Sequence, residues 1–566
     1  MADSASMPSN TTRPGLSKVF SGHHLDDQSI YHARDSVSEK WEHHHTADEE
    51  SDLSGETAEE EDKEARGQPF EESENAAAAS RHPEVPLKKK QSTKSVKDPD
   101  LVTWDGPDDP QNPKNWSTKQ RWAATIVVSS FTFISPVSSS MVAPAISAIA
   151  KDFDITNEVE SQMVLSIFVL AYAIGPLFLG PLSEVYGRVP VLQLANLVYL
   201  VFNTACGACT SKEQMIVFRF LSGLGGSAPL AIGGGVLSDC WKAEQRGRAI
   251  SLYSLAPLLG PAIGPIAGGF ITEKTTWRWA FYATSIADAL IQLSGVFFLR
   301  ETYPAKLLHV KAKKLRRETG NEALHTEYEH PERSLFTVLQ NAMVRPFRLL
   351  GTQPIVQVMA LYAAYLYGLM YLLLSTFPVL WTGQYHQSVG IAGLNYISLG
   401  VGFTLGAQIL SPLNDRIYRI LKKKNGGVGK PEYRIPIMVP GSVLVPTGLF
   451  IYAWTAQYNT HWIGPNIGAA IFAAGAIAGF QSVQTYLVDA YTRFAASAIA
   501  AATVLRSLAG FGFPLFAPYM YDKLGYGWGN SLLGFLAVGL GLPAPILLWT
   551  YGETLRKKSP FAAGGG

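Results

Sequence analysis

SQMVLSIFVLAYAIGPLFLGPLSEVYGRVPVLQLANLVYLVFNTACGAC, residues 161–209, reads as two apolar runs joined by a short charged hinge. Each run has the roughly 20 residues that an α-helix needs to cross the hydrocarbon core of a bilayer. The hinge contains Gly180, Pro181, Glu184, Gly187 and Arg188, so it can turn tightly and keep its charges at the membrane rim. Working outward from this pair, runs of the same kind recur near 122–143, 160–182, 190–209, 215–237, 248–271 and 279–299. They resume near 355–380, 389–412, 434–454, 464–485, 496–518 and 530–550. The pattern predicts an all-α membrane protein of twelve transmembrane helices in two six-helix halves, 116–299 and 355–552, separated by a polar linker, 300–354.

Composition agrees. Charged residues make up 16% of the 566-residue chain, against roughly 25% in ordinary soluble domains. Residues 1–115 differ sharply from the rest, being rich in Ser, Glu, Asp, His and Ala, with an acidic run at Glu59–Asp62 and a basic one at Lys88–Lys90. Such a segment cannot bury enough apolar surface to offset its chain entropy, so a disordered tail is expected, open to Ser/Thr phosphorylation. The His43–His45 triplet reads as part of that solvated tail, and no metal site is expected. Cys206 and Cys209 have C-x-x-C spacing but lie in an apolar run with no second pair, which suits packing rather than metal or redox chemistry.

Basic residues set the expected orientation. With the N-terminus inside, the short inner loops hold twelve Lys and Arg residues, among them Arg188, Arg246, Arg416 and Lys423, and the short outer loops hold five. The linker and the 553–566 tail are also basic. Both termini and the linker are therefore expected in the cytoplasm. The chain contains no G-x-x-x-x-G-K-[ST] phosphate loop, so an ion gradient is the expected energy source, with no cofactor. The spans carry no convergent His, Cys or paired carboxylates, which argues against an enzyme. The expected partners are the lipid bilayer, protons and a small-molecule substrate, with no nucleic acid, and the chain is expected to work as a monomer.

A few residues stand out within this apolar frame. Arg219 lies about 6 Å along its span at 1.5 Å per residue, where an arginine must face the bundle interior or water. Asp288 and Arg506 lie deeper, about 13 and about 15 Å into their spans, so each needs a partner or access to water. Gly260, Gly264 and Gly268, with Gly269 beside them, put a bare stripe on one helix face for close contact, and Pro261 and Pro265 favour a bend. Tyr362, Tyr365, Tyr367 and Tyr371, with Gln357 before them and Phe377 and Trp381 after, form an aromatic helix. Gln357, Tyr365 and Phe377 are taken from it as candidate cavity residues for a bulky, mostly apolar ligand.

The hinge Gly180-Pro-Leu-Ser-Glu184-Val-Tyr-Gly187-Arg188-Val-Pro-Val-Leu192 resembles the G-x-L-x-D-x-x-G-R-x-x-x-L loop of the major facilitator superfamily, with Glu184 where Asp is commoner. Arg219-Phe-Leu-Ser-Gly223 and Gly264-Pro265-x-x-Gly268-Gly269 resemble two motifs of its drug:proton antiporters. Trp104–Trp116, Arg300-Glu-Thr-Tyr303, Asn414-Asp-Arg416, Pro431–Pro436 and Asp489-Ala-Tyr491 are similar to fungal twelve-span members. The resemblance implies a plasma-membrane exporter of drugs, toxins or secondary metabolites. Polyamine export, or uptake by a symporter on the same fold, is the alternative. It further implies that Gly180, Glu184, Gly187, Arg188 and Asp239 latch one conformation. Arg219 is implicated in proton coupling, and Asp288 is a candidate to carry the proton.

Overall fold

The computed structural model describes residues 98–242, 245–329 and 335–562. The expected tail falls mostly on residues 1–97, which lie outside the described residues. Helices begin and end where local chemistry directs them. Span 1, Thr118–Met141, starts on a reciprocal capping box between Ser117 and Gln120. Span 2, Glu158–Tyr186, starts on Asn157, whose side chain accepts from the Val159 N–H. It stops at Gly187, whose φ of 101° lies in the region that favours glycine. Spans 3 to 6 are Arg188–Ala208, Lys212–Cys240, Gly247–Lys274 and Arg278–Phe298. Span 7, Pro354–Val379, ends in a π-helical turn at Leu380–Gln384. Span 8 is Val389–Lys424, span 9 begins on the turn Pro431–Arg434 and runs as helix over Met438–Gln457, and span 10 is Ile463–Ala490.

The remaining apolar stretch, Thr492–Lys557, has 66 residues. As one helix it would reach about 100 Å, some three times the hydrocarbon thickness. It is two crossings. Gly525 breaks the helix with φ 65° and ψ 178°, and the Tyr521 hydroxyl donates to Asn530 Oδ1 at 2.9 Å. Nine residues of continuous helix would hold that pair about 13 Å apart along the axis, so the chain must reverse between them. The twelve spans bring the linker and the described ends of the chain to one face, here the terminal face, and leave the odd-numbered loops on the far face.

Each half has large apolar side chains on its outer surface as well as in its core. Leu290, Val296 and Phe297 of span 6 are 65%, 65% and 71% exposed, which marks that span as peripheral. The halves meet towards the far face. There the Ser139 and Tyr371 hydroxyls lie 3.0 Å apart, and Glu273 at the end of span 5 accepts from the Gly390 N–H at the start of span 8 at 2.6 Å. A Cβ on Gly269 would come 2.8 Å from the Val389 carbonyl, and one on Gly393 would come 2.9 Å from the Pro265 carbonyl.

The expectation of a structureless tail as far as residue 115 is corrected for 98–115. Leu101–Val102 pairs in parallel with His325–Thr326 of the linker. Lys311, on the linker helix Pro304–Thr319, donates to Asp105 Oδ1 at 2.5 Å and to the Thr103 carbonyl at 3.0 Å. Asp109 is buried and accepts from the N–H groups of Asp105 and Gln111 at 2.9 and 2.8 Å. Burial pushes its carboxyl up, but the two N–H groups and Lys311 outweigh this and hold it below the ordinary carboxylate range. Composition described the segment as polar. Linker groups more than 200 residues away supply its strand pairing and its lysine contacts.

Candidate functional site

Arg219 is fully buried. Its guanidinium donates to three backbone carbonyls: Nε to Val164 at 3.1 Å, Nη1 to Ser138 and Nη2 to Ser139, both at 3.3 Å. The rings of Phe168 and Phe281 lie 4.5 and 5.8 Å from its Cζ. A fully buried arginine would ordinarily be paired with an acid. Among the described residues no carboxylate contacts it, and spans 1 and 2 supply carbonyl dipoles instead. Asp288 is likewise fully buried but lies apart, taking both hydrogen bonds from Asn196 Nδ2 at 3.1 and 3.0 Å. The same Asn196 nitrogen donates to Gln292 Oε1 at 2.9 Å, so this cluster ties span 3 to span 6 within the first half.

The seam between the halves is lined by a different face of span 7 from the one expected. Tyr365 points into the second half, where its hydroxyl donates to the Leu533 carbonyl and its ring meets Phe513 at 6.2 Å. Phe377 is core, packed against Trp381, Tyr396 and Tyr452. Gln357 is exposed and turns back to the Gly351 carbonyl at 3.2 Å. The three are therefore not brought together. Tyr367 and Tyr371 share the seam face, as residues four apart on a helix must. Their rings are 4.9 Å apart, and Tyr371 reaches Ser139, whose own carbonyl holds Arg219. Arg506 of span 11 stands over the Tyr367 ring at 5.1 Å. Aromatic content alone could not say which of the tyrosines faced inward.

The span 5 stripe sits on span 1. A Cβ on Gly260 would come 2.6 Å from Pro136 Cβ, one on Gly264 would strike Ser140 Oγ, and one on Gly268 would strike the Met141 carbonyl. The Ser140 hydroxyl reaches the Gly260 carbonyl at 3.3 Å, so the two backbones are both in contact and hydrogen-bonded.

At the terminal face of the first half, Arg188 Nε lies 3.5 Å from Asp239 Oδ2, and Arg188 Nη2 lies 3.9 Å from Glu184 Oε1. Nη1 donates to Ser183 Oγ at 2.7 Å. Sequence reasoning missed Glu301 as a member of this group. One of its oxygens accepts from the N–H groups of Arg188 at 3.0 Å and of Thr302 and Tyr303 at 2.9 Å each, so the carboxylate caps the positive end of span 3. A Cβ on Gly187 would collide with that carboxylate. Gly180 has open space around its Cα.

A matching group closes the second half. Arg434, entering span 9, donates to Asp415 Oδ1 at 2.6 Å and Asp489 Oδ2 at 2.9 Å, with its Cζ 4.2 Å from the Tyr418 ring. Asp415 lies in the terminal-face part of span 8 as Glu184 does in span 2, and Asp489 ends span 10 as Asp239 ends span 4. The signal in the sequence was Asp489-Ala-Tyr491 standing where Asp239-Cys-Trp241 stands in the first half. The longer 8–9 connection hid the rest.

The sequence profile of the Major Facilitator Superfamily matches residues 128–514. The chain belongs to this superfamily. It is 56% identical over 468 residues to the efflux pump vrtL of Penicillium aethiopicum, covering 83% of this chain and 92% of the relative. It is 45% identical over 468 residues to the efflux pump radE of Floropilus chiversii, covering 82% and 86%. Among solved structures it is similar to the proton:xylose symporter XylE, with TM-score 0.57, 15% identity and coverage of 77% and 96%. It is also similar to an inward-facing bacterial homologue of the lysosomal transporter Spinster, with TM-score 0.55, 14% identity and coverage of 79% and 100%. These two likenesses speak for the fold alone.

Proposed function

We infer that this transporter exports small, mostly apolar compounds, such as drugs or secondary metabolites, across the plasma membrane in exchange for protons. Its termini and linker lie in the cytoplasm, it works as a monomer, and it needs no cofactor beyond the proton gradient. The observation that carries the reading is the Gly260–Gly264–Gly268 stripe seated on span 1 beside a carbonyl-caged Arg219, in a chain similar over most of its length to proteins named efflux pumps. The halves rock about the seam. Opening the far face separates Glu273 from Gly390 and Ser139 from Tyr371. Ser138 and Ser139 of span 1 supply two of the three carbonyls around Arg219, so movement of that helix against span 4 would change what the guanidinium holds. Arg219 itself stays protonated. Asp288 is the carboxyl assigned to carry the proton in this reading. One charge crossing 100 mV is worth about 2.3 kcal/mol, enough for roughly a fifty-fold gradient per proton.

Expression in a pump-deleted yeast challenged with a panel of toxic compounds tests the reading. Resistance should appear for apolar compounds and vanish with Arg219→Ala. Resistance confined to polyamines, or substrate uptake down a pH gradient in right-side-out vesicles, would replace it. Asp288→Asn with intact export and unchanged pH dependence would remove Asp288 from the proton path.

A further inference from the structure

Arg506 is a cation at mid-span without a carboxylate against it among the described residues. It lies in the eleventh span about 16 Å from the helix start at Ala495, near the bilayer midplane. Its side chain is half-buried, and its Nε is enclosed without a hydrogen-bond partner. Asp415 and Asp489, the acids closing the terminal face of the same half, are both bound to Arg434. Asp288 is bound to Asn196 in the other half. Arg219 differs in kind, because its three carbonyl acceptors satisfy it.

The face of span 11 that carries Arg506 is the one turned to the seam. Gly510, four residues on and so on the same face, has space only for hydrogen. A Cβ there would lie 2.8 Å from the Tyr367 ring and 3.0 Å from Val169 of span 2, in the opposite half. Around the guanidinium stand Tyr367 and, through it, Tyr371 and Phe480, with ring centroids 4.9 and 6.0 Å from Tyr367. A cation at this depth is costly unless it meets water or an anion. An aromatic wall beside it would hold a flat apolar body.

We propose that Arg506 is the anchor for the acidic group of the substrate, so that the preferred cargo is a flat, apolar weak acid carried as its carboxylate or phenolate. The inference rests on the exporter reading and narrows it. Exchange of an anion for a proton moves two charges in the same sense, so the accumulation ratio supported by membrane potential alone is the square of that for a neutral cargo. Arginine suits the role because its planar fork meets a carboxylate with two donors and can lie over a ring at the same time.

The test uses the full-length protein in proteoliposomes with 2-naphthoic acid and its uncharged counterpart, 2-naphthamide. Wild type should favour the acid in both equilibrium binding and proton-driven transport. Only the acid should respond to an imposed potential with the steeper dependence of two charges. Arg506→Gln should cut the acid-to-amide selectivity at least about tenfold, and Arg506→Lys, which keeps the charge without the fork, should fall between. Equal handling of the two probes by wild type, binding of neither, or an unchanged selectivity in Arg506→Gln overturns the proposal. So does an equal loss for both probes in Arg506→Gln while Arg506→Lys behaves like wild type, since charge alone would then hold the fold. None of these results touches the exporter reading, which is decided by the yeast panel and the vesicle uptake assay.

Discussion

The two halves close their terminal faces with the same parts set at different tension. In the first half, Arg188 lies 3.5 Å from Asp239 and 3.9 Å from a largely exposed Glu184. In the second, Arg434 has both acids at 2.6 and 2.9 Å and a tyrosine ring beneath it. An ion pair weakens as it lengthens and as water reaches it. The second-half group is therefore the tighter of the two and the first the looser. The first half also depends on a part that has no direct equivalent at Arg434: the Glu301 carboxylate, which accepts the Arg188 N–H at the start of span 3 together with the N–H groups of its own neighbours Thr302 and Tyr303. The cap on that helix end is thus separate from the guanidinium contacts.

This contrast can be broken in order of size. Arg434→Ala should have the largest effect, leaving two acids beside each other and lowering stability by about 2 kcal/mol after allowance for their partial exposure, read as a fall in Tm of the detergent-solubilised protein. Glu301→Ala should come next, at about 1–2 kcal/mol, because three N–H groups lose their acceptor. Hydrogen exchange should localise that loss to Arg188 at the start of span 3 and to Thr302 and Tyr303, and exchange confined to span 6 would contradict it. Arg188→Ala should cost stability only about 0.5–1 kcal/mol yet impair transport more than its stability effect explains. A transport loss merely proportional to lost protein would make the first latch a structural contact only. Glu184→Asp should change stability by less than about 0.5 kcal/mol, since the exposed carboxylate contributes little from 3.9 Å.

The pre-span segment supplies a pH control outside the membrane. Asp109 has a folded-state pKa below the ordinary 3.8, so its stabilisation is present above that value and is lost as pH falls through the folded value. Asp109→Asn should flatten protease protection of residues 98–116 between about pH 5 and pH 2 and leave it unchanged in slope near neutrality.

Local motifs marked the hinge around Arg188, the glycine stripe and Arg219 residue by residue, because each is a run of neighbours in the chain. Tyr365, Phe377 and Gln357 show where that kind of reading ends. All three belong to the aromatic helix that lines the seam, but a span buried on nearly every side has no polar face to mark which residues look inward. The choice of Tyr367 and Tyr371 comes from Ser139 across the seam. The second latch was hidden for a related reason. Its arginine is separated from Asp415 by a helix that runs on to Lys424 and a loop before Pro431, so spacing no longer signals the pair.

The sequence by itself determined that twelve apolar helices cross a membrane in two sets of six, since hydrocarbon thickness demands a run of about 20 apolar residues and little else decides it. It also determined where glycines let helices touch. Only the tertiary structure decided what each buried charge meets. Arg219 found carbonyls, Asp288 found an asparagine, Arg434 found two acids, and Arg506 faces the seam without one among the described residues. Those partners come from spans far apart in the chain, and a charge inside a membrane protein takes its meaning from whatever packing puts beside it.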